Sequence, residues 1–198
     1  MKRKVKSRRN RAPWNRGKQV GQKLPLSPSQ IRSIRSRLMS AQKMRDLALF
    51  HLAIDSSLNA CDIIGLRVRD IARGRRILTR ATVTLRRSQC PIQFEITEQA
   101  REAVARWMNQ AKLKPEDFLF PSRLRESPHL SLRQYARIVD GWVQEIGLDP
   151  AAYGTQTLRR TKASLIYRRT KNLCAVQLLL GHTKLESTVR YLGIEVDD

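Results

Sequence analysis

Apolar residues in the first third of the chain recur at intervals of three and four. In MRDLALFHLAIDSS, Leu47, Phe50 and Ile54 fall on one face, which predicts a helix with that face turned inward. The preceding segment, LPLSPSQIRSIRSRL, opens another helix, with Ser27 as N-cap and Pro28 at the first helical position, where a missing N–H costs nothing. His51 lies within the second pattern and reads as a core or surface histidine rather than a reactive one. ACDIIGLRVRDI predicts a short helix in which Ile63, Ile64 and Leu66 pack inward, with Val68 beyond it and Gly74 at a turn.

The period changes at residues 77–96. Ile77, Thr79, Ala81 and Val83 alternate with other residues, and Ile92, Phe94 and Ile96 alternate again beyond a turn at residues 86–90. A small antiparallel sheet is expected there. Thr97 and Glu98 begin the helix EQAREAVARWMNQA, whose apolar face is Ala100, Val104 and Trp107. Phe118, Leu119 and Phe120 form a compact connection between Pro115 and Pro121. A further helix starts near Ser131 and runs through Ile138, Val139, Trp142 and Val143 to Gly147. Three helical pieces follow at 161–169, 172–180 and 185–191, with Gly181 closing the middle one as a C-cap. The fold class is mainly α with a small antiparallel β-sheet, an α+β domain without internal repeats.

Charge adds a partner to this picture. The 198 residues carry 39 Lys plus Arg against 17 Asp plus Glu, a formal net charge of +22. Such a balance favours a polyanion, and double-stranded DNA is the expected one. Ten of the basic residues and no acid lie in residues 1–23, which leaves 29 basic and 17 acidic residues elsewhere, so the folded part is basic in its own right. Residues 1–26 are expected to be a flexible basic arm that lies on phosphates, and residues 27–198 a single domain. The terminal acids Glu195, Asp197 and Asp198 read as a solvated end. No window offers the roughly 20 apolar residues that span a bilayer, and no apolar run after the basic N-terminus makes a signal peptide, so a cytoplasmic, DNA-associated protein is expected. Cys61, Cys90 and Cys174 are an odd set without a CxxC pair, which speaks against disulfides and zinc. Cys61 and Cys174 sit in helical patterns and are expected to be buried as small side chains.

Candidate chemistry concentrates in the C-terminal third, in TLRRTKAS and LLLGHTKLESTVRYLG. A tyrosine can cleave a phosphodiester without metal if cations neutralise the charge developing on the non-bridging oxygens. Arg159 offers a planar fork for two phosphate oxygens, His182 a further donor, and Tyr191 the nucleophile.

The ordered run LRRTKAS...NLCAVQLLLGHTKLESTVRYLG resembles the signature of the tyrosine recombinases, also called the phage integrase family. LNACDIIGLRVRDI resembles that family's first active-site segment, and FLFPSR a connector between the two, so the resemblance covers residues 27–194. It implies a catalytic-domain fold that cuts DNA through a 3'-phosphotyrosyl bond with release of a 5'-hydroxyl, without metal, ATP or other cofactor, in a synaptic tetramer. On matching positions it implies Tyr191 as nucleophile, Arg159 as the second phosphate-binding arginine, His182 as a donor and Asp62 as the acid supporting the first arginine.

Three positions depart from the pattern. Asn59 stands where the first arginine is expected, Gln156 where a histidine is expected, and Arg87, or Arg86 with a one-residue shift of the turn, where a lysine is expected. Gln156 still donates a hydrogen bond but does not shuttle a proton, and Arg87 keeps charge but little general-acid capacity. Asn59 removes a charge from the phosphate pocket and leaves Asp62 without its expected partner. Two readings follow: a DNA-binding relative of the recombinases with reduced or lost strand transfer, and an active site-specific recombinase in which Arg160 or another neighbour compensates. An unrelated basic nucleic-acid-binding module is the third. The resembled enzymes also carry a separate N-terminal clamp domain, for which residues 1–26 are too short, and seven residues after Tyr191 leave no room for a long C-terminal docking helix. Assembly on DNA, as a homo-oligomer or with homologous recombinase subunits, is the expected oligomeric behaviour.

Overall fold

A capped, amphipathic start sets the first packing layer. In the computed structural model, which describes residues 22–122 and 127–194, Ser27 and Gln30 form a reciprocal capping box at the head of α1 (Pro28–Ser40), and Ile34 and Leu38 are its buried face. Most of the expected basic arm and the terminal acids lie outside the described residues. Residues 22–26 are described and run in extended form across the domain: the Leu24 N–H donates to Ala152 O at 3.0 Å, Lys23 Nζ to Ala151 O at 2.6 Å, and the Leu26 side chain is buried.

The second helix, α2 (Met44–Ser56), is more central than its pattern of one apolar face implies. Leu49 and Leu52 are buried together with Leu47 and Phe50, and Ile54 is only half-buried. His51 is buried in this helix, its ring edge-on to Phe50. Helices on several sides cover α2, so positions off the expected stripe are sequestered too. Next come α3 (Ala60–Ile64) and α4 (Val68–Ile71), which bury Ile63, Ile64, Val68 and Ile71.

The small antiparallel sheet is present as two separate ladders. The first pairs β1 (Ala72–Arg73) with β2 (Arg76–Ile77) around Gly74, whose φ of 60° suits the tight turn. The second pairs β3 (Arg80–Thr84) with β4 (Pro91–Glu95), with Arg80 opposite Glu95 and Val83 opposite Ile92. Ile77 thus belongs to a different ladder from Ala81 and Val83, a break that alternation alone does not reveal. Ala81, Ile92 and Phe94 point inward from the second ladder, as period-two alternation requires.

Thr97 caps α5 (Glu98–Ala111) by accepting from the Ala100 N–H, and its own N–H and hydroxyl donate to Asp55 at 2.9 and 2.7 Å, which ties this cap to α2. Trp107 Nε1 donates to Leu119 O at 2.8 Å, holding the buried Leu119 and Phe120 under α5. A second capping box, Ser131 with Gln134, starts α6 (Leu132–Glu145), whose Trp142 packs edge-on to Phe50 at 5.4 Å. After a 3-10 turn at Pro150–Ala152 come α7 (Thr155–Thr170), α8 (Leu173–Leu180) and α9 (Leu185–Leu192).

Helix α7 begins six residues before the expected 161, because its first turns bury Thr157, Leu158, Arg159, Arg160 and Thr161 rather than an apolar stripe. Thr161 Oγ1 donates to Thr157 O at 2.7 Å and accepts from the Leu26 N–H at 2.9 Å, so this threonine is satisfied internally. The main core runs from Leu26 through α1–α7, while Ala163, Val176 and Leu180 form a small satellite cluster against which Tyr191 and Leu192 pack. Cys61 is half-buried, and Cys90 and Cys174 are exposed, so the expected burial of Cys61 and Cys174 does not hold: α8 turns Cys174 to solvent while Val176 and Leu180 face inward. Among the described residues no helix is long and apolar enough to cross a membrane.

Candidate functional site

Adjacent residues on a helix point about 100° apart, so Arg159 and Arg160 of α7 meet different neighbours. Arg159 is 5% exposed. Its Nη1 donates to Ser57 O at 2.7 Å and its Nη2 to Leu180 O at 2.6 Å. Ser57, with φ of 51°, closes α2, and Leu180 is the last residue of α8, so the guanidinium sits at two helix C-termini, where carbonyls lack helical partners and the dipole favours a cation. Burial draws its pKa below the usual arginine value, while Tyr191 and Asp62 act in the opposite direction.

Arg160 is 8% exposed. Its Cζ lies 4.6 Å from the centre of the Tyr191 ring, Nη1 donates to Gln22 Oε1 at 2.7 Å, and the buried Nε has no hydrogen-bond partner among the described residues. Gln22 also donates through Nε2 to the carbonyl of Arg190, the residue before Tyr191. The Tyr191 hydroxyl is buried and lacks a well-aligned hydrogen bond, yet both guanidinium groups stand close enough to favour its ionised form. Burial outweighs them and raises the phenol above its usual pKa.

His182 follows Gly181, where φ is 65° and an added Cβ would come within 2.8 Å of Ile92 Cδ1. The left-handed backbone favours glycine there, and a side chain would also push aside the end of Ile92. The His182 N–H donates to Gln177 O at 3.1 Å and its carbonyl accepts from Gln177 Nε2 at 3.0 Å, which locks the connection between α8 and α9. One ring nitrogen, Nδ1, shares a hydrogen bond with Thr188 Oγ1 at 3.1 Å, and the ring meets Tyr191 edge-on with centroids 5.5 Å apart. Burial, then the charge of Arg159, lowers the His182 pKa and favours neutral imidazole.

The opposite wall is built by α3 and the β3–β4 turn. Asp62 is 3% exposed, and its two oxygens accept from Asn59 Nδ2 at 3.4 Å and from the Arg86 backbone N–H at 3.0 Å. The Arg86 guanidinium lies over Gly65, where an added Cβ would come within 2.3 Å of Nη2. Arg87 and Gln156 are both exposed. The fold therefore brings Arg159, His182 and Tyr191 together, sets Asn59 on Asp62, and leaves Arg87 and Gln156 exposed to solvent. Gln22 and the ring contact of Arg160 were not legible, since nothing in the extended N-terminal segment marks a glutamine for either contact. Among the described residues no cluster of His, Cys, Asp or Glu is arranged to hold a metal ion.

The chain is 28% identical over 171 residues, 86% of its length and 89% of the relative's, to a probable integrase/recombinase YoeC of Bacillus subtilis. It is 25% identical over 181 residues to a tyrosine recombinase of Pseudothermotoga lettingae, covering 90% of this chain but 60% of that one. In fold it is similar to the XerH site-specific recombinase solved with its difH substrate, with a TM-score of 0.71, 17% identity and coverage of 87% of this chain and 50% of that one. It thus spans about half to three-fifths of these last two proteins. Residues 25–196 match the phage integrase family, and the chain belongs to that family, the tyrosine recombinases of DNA recombination and integration.

Proposed function

We propose that this chain is a DNA-binding tyrosine recombinase whose strand transfer is attenuated at the phosphate pocket. In this reading the Tyr191 oxygen gives up its proton to solvent and attacks phosphorus, the P–O5' bond breaks as the 3'-phosphotyrosyl bond forms, and the 5'-oxygen takes a proton from solvent and leaves as the 5'-hydroxyl. Arg159 and His182 donate to the non-bridging oxygens, Arg87 supplies charge from the β3–β4 turn, Asp62 orients the wall opposite, and Asn59 and Gln156 are the weakened positions. The observation that carries the attenuation is the state of Asp62: an amide and a backbone N–H satisfy its two oxygens, and among the described residues no arginine side chain hydrogen-bonds to it. Losing one oxyanion donor costs about 3–4 kcal/mol, roughly a hundredfold to a thousandfold in rate.

Duplex DNA as the partner is supported by the net charge of +22 and by the DNA-bound state of the related XerH structure. The reading extends to a protein that works on DNA in the cytoplasm, meets phosphates through its basic N-terminal arm, and assembles on its site as a homo-oligomer or with homologous subunits. Plasmid relaxation and covalent adduct formation, with Tyr191→Phe as control, test it. Asn59→Arg with Gln156→His should raise both at least about a hundredfold; no gain in a folded, DNA-binding double variant would refute the attenuation. A second reading, a working recombinase, is favoured by the two guanidinium groups beside Tyr191, and wild-type relaxation that disappears in Tyr191→Phe would establish it.

A further inference from the structure

Arg160 is an expensive residue to bury where it is. Its charge faces no carboxylate in a described ion pair; it meets a neutral glutamine oxygen and the face of an aromatic ring, and its Nε is left without a partner. A cation removed from water in this way is destabilising unless something compensates it. The Tyr191 hydroxyl, itself buried and without an aligned hydrogen bond among the described residues, is able to do so on ionising. Two unsatisfied polar groups on adjoining side chains form a complementary pair that is completed when the phenol sheds its proton.

Gln22 holds this pair from behind. Its amide oxygen accepts from Arg160 and its amide nitrogen donates to the carbonyl of Arg190, so one side chain spans α7 and the helix that carries Tyr191. The segment is anchored just after the glutamine, through Leu24 on Ala152 and Leu26 on Thr161. Helix α9 needs such a tether, because Thr188 is its one buried residue and its apolar contacts are with the small satellite cluster. Arg159 is committed differently, with two of its donors on the carbonyls of Ser57 and Leu180.

We propose that Arg160, held by Gln22, is a positioning residue for the nucleophile: it fixes the Tyr191 ring by stacking and stabilises the phenolate that attacks phosphorus. The assignment rests on the role of Tyr191 given under the proposed function: Arg159 faces both phosphate and phenol, whereas Arg160, stacked on the ring, serves the phenol. The ionisable groups that face Tyr191 are Arg159 and Arg160 from α7 and His182 from the connection to α9, and the two arginines favour the ionised phenol. Gln22 adds no charge and sets geometry alone.

The test is the ionisation of residue 191 in the full chain without DNA. A difluorotyrosine placed at position 191 ionises at lower pH than tyrosine, within the range where the fold persists, and fluorine NMR reports its midpoint. Arg160→Gln should raise that midpoint by about one pH unit or more, the scale of one nearby opposite charge. Arg160→Lys, which keeps the charge, should stay close to wild type, and Gln22→Ala should shift the midpoint upward by less than Arg160→Gln. An unchanged midpoint in folded Arg160→Gln overturns the proposal. Should that variant not fold, Gln22→Ala decides, a rise supporting the assignment and no change refuting it. Because no DNA is present, a failure here is separate from any failure of the strand-transfer reading, which the plasmid assay judges alone.

Discussion

Asp62 and Tyr191 both act electrostatically on Arg159, yet their polar atoms are treated in opposite ways. Each Asp62 oxygen receives an N–H, one from the Asn59 amide and one from the backbone of Arg86, so this wall is satisfied without any ligand. On the other wall the Tyr191 hydroxyl and Arg160 Nε are buried and, among the described residues, lack an aligned hydrogen-bond partner. Buried polar groups are almost always hydrogen-bonded, and exceptions mark places where strain, chemistry or a missing partner resides. The difference teaches that the wall of Asn59 and Asp62 is a self-contained structural element, while the tyrosine wall keeps unused hydrogen-bonding capacity.

The same contrast appears in packing. Phe50 sits in the main core against Trp142, whereas Tyr191 leans on a cluster of Ala163, Val176 and Leu180. Phe50→Ala should therefore cost about 3–5 kcal/mol in urea unfolding and lower amide protection throughout the domain. Leu180→Ala should cost about 2 kcal/mol, at the low end for such a truncation, with protection lost first in α8 and α9. Uniform loss of protection in both variants would erase the distinction between core and satellite.

Asp62→Ala sharpens the comparison of the two walls at a smaller magnitude. It removes the acceptor for the Arg86 N–H and should destabilise by about 1–3 kcal/mol in the same unfolding measurement. Tyr191→Phe removes a hydroxyl that has no partner and should leave the unfolding midpoint nearly unchanged. If Tyr191→Phe proved the more damaging of the two, the hydroxyl would have a structural bond in solution and the contrast would fail.

The smallest expected effect is a pH dependence. Burial lowers the pKa of both His51 and His182, with Arg35 adding to it at the first and Arg159 at the second, while Asp55 opposes at His51. A histidine whose folded pKa is depressed contributes stability that is present above its unfolded pKa of about 6.5 and is lost as pH falls through the folded value. The urea midpoint should fall from about pH 7 to about pH 5, less steeply in His51→Gln and least in the variant with both histidines replaced. An equal slope in all three proteins would assign the dependence to carboxylates instead.

Legibility followed the range of the interaction. The starts of α1 and α6 were readable from Ser27 and Ser131, because an N-cap and its glutamine partner lie three residues apart. Tyr191, Arg159 and His182 were readable through their order in a familiar signature, and Asn59 and Gln156 through their departure from it. The first turns of α7 were not, since a buried face of threonine and arginine leaves no apolar period to detect. The division of residues 72–96 into two ladders also escaped, because alternation reports which face a residue takes and not which strand it pairs with.

By itself the sequence determined the helical class, the caps, the family and the chemical types available at the site, all of which depend on neighbours a few residues apart or on ordered motifs. Tertiary structure alone decided which partner each charge received. Gln22 lies 138 residues from Arg160 and 168 from Arg190, and Arg159 lies 102 residues from Ser57, so only the folded chain places them within hydrogen-bond reach. The physical reason is that periodicity and capping are local and repeat along the chain, whereas a buried polar bond depends on two donors and acceptors meeting at about 3 Å after distant helices have packed.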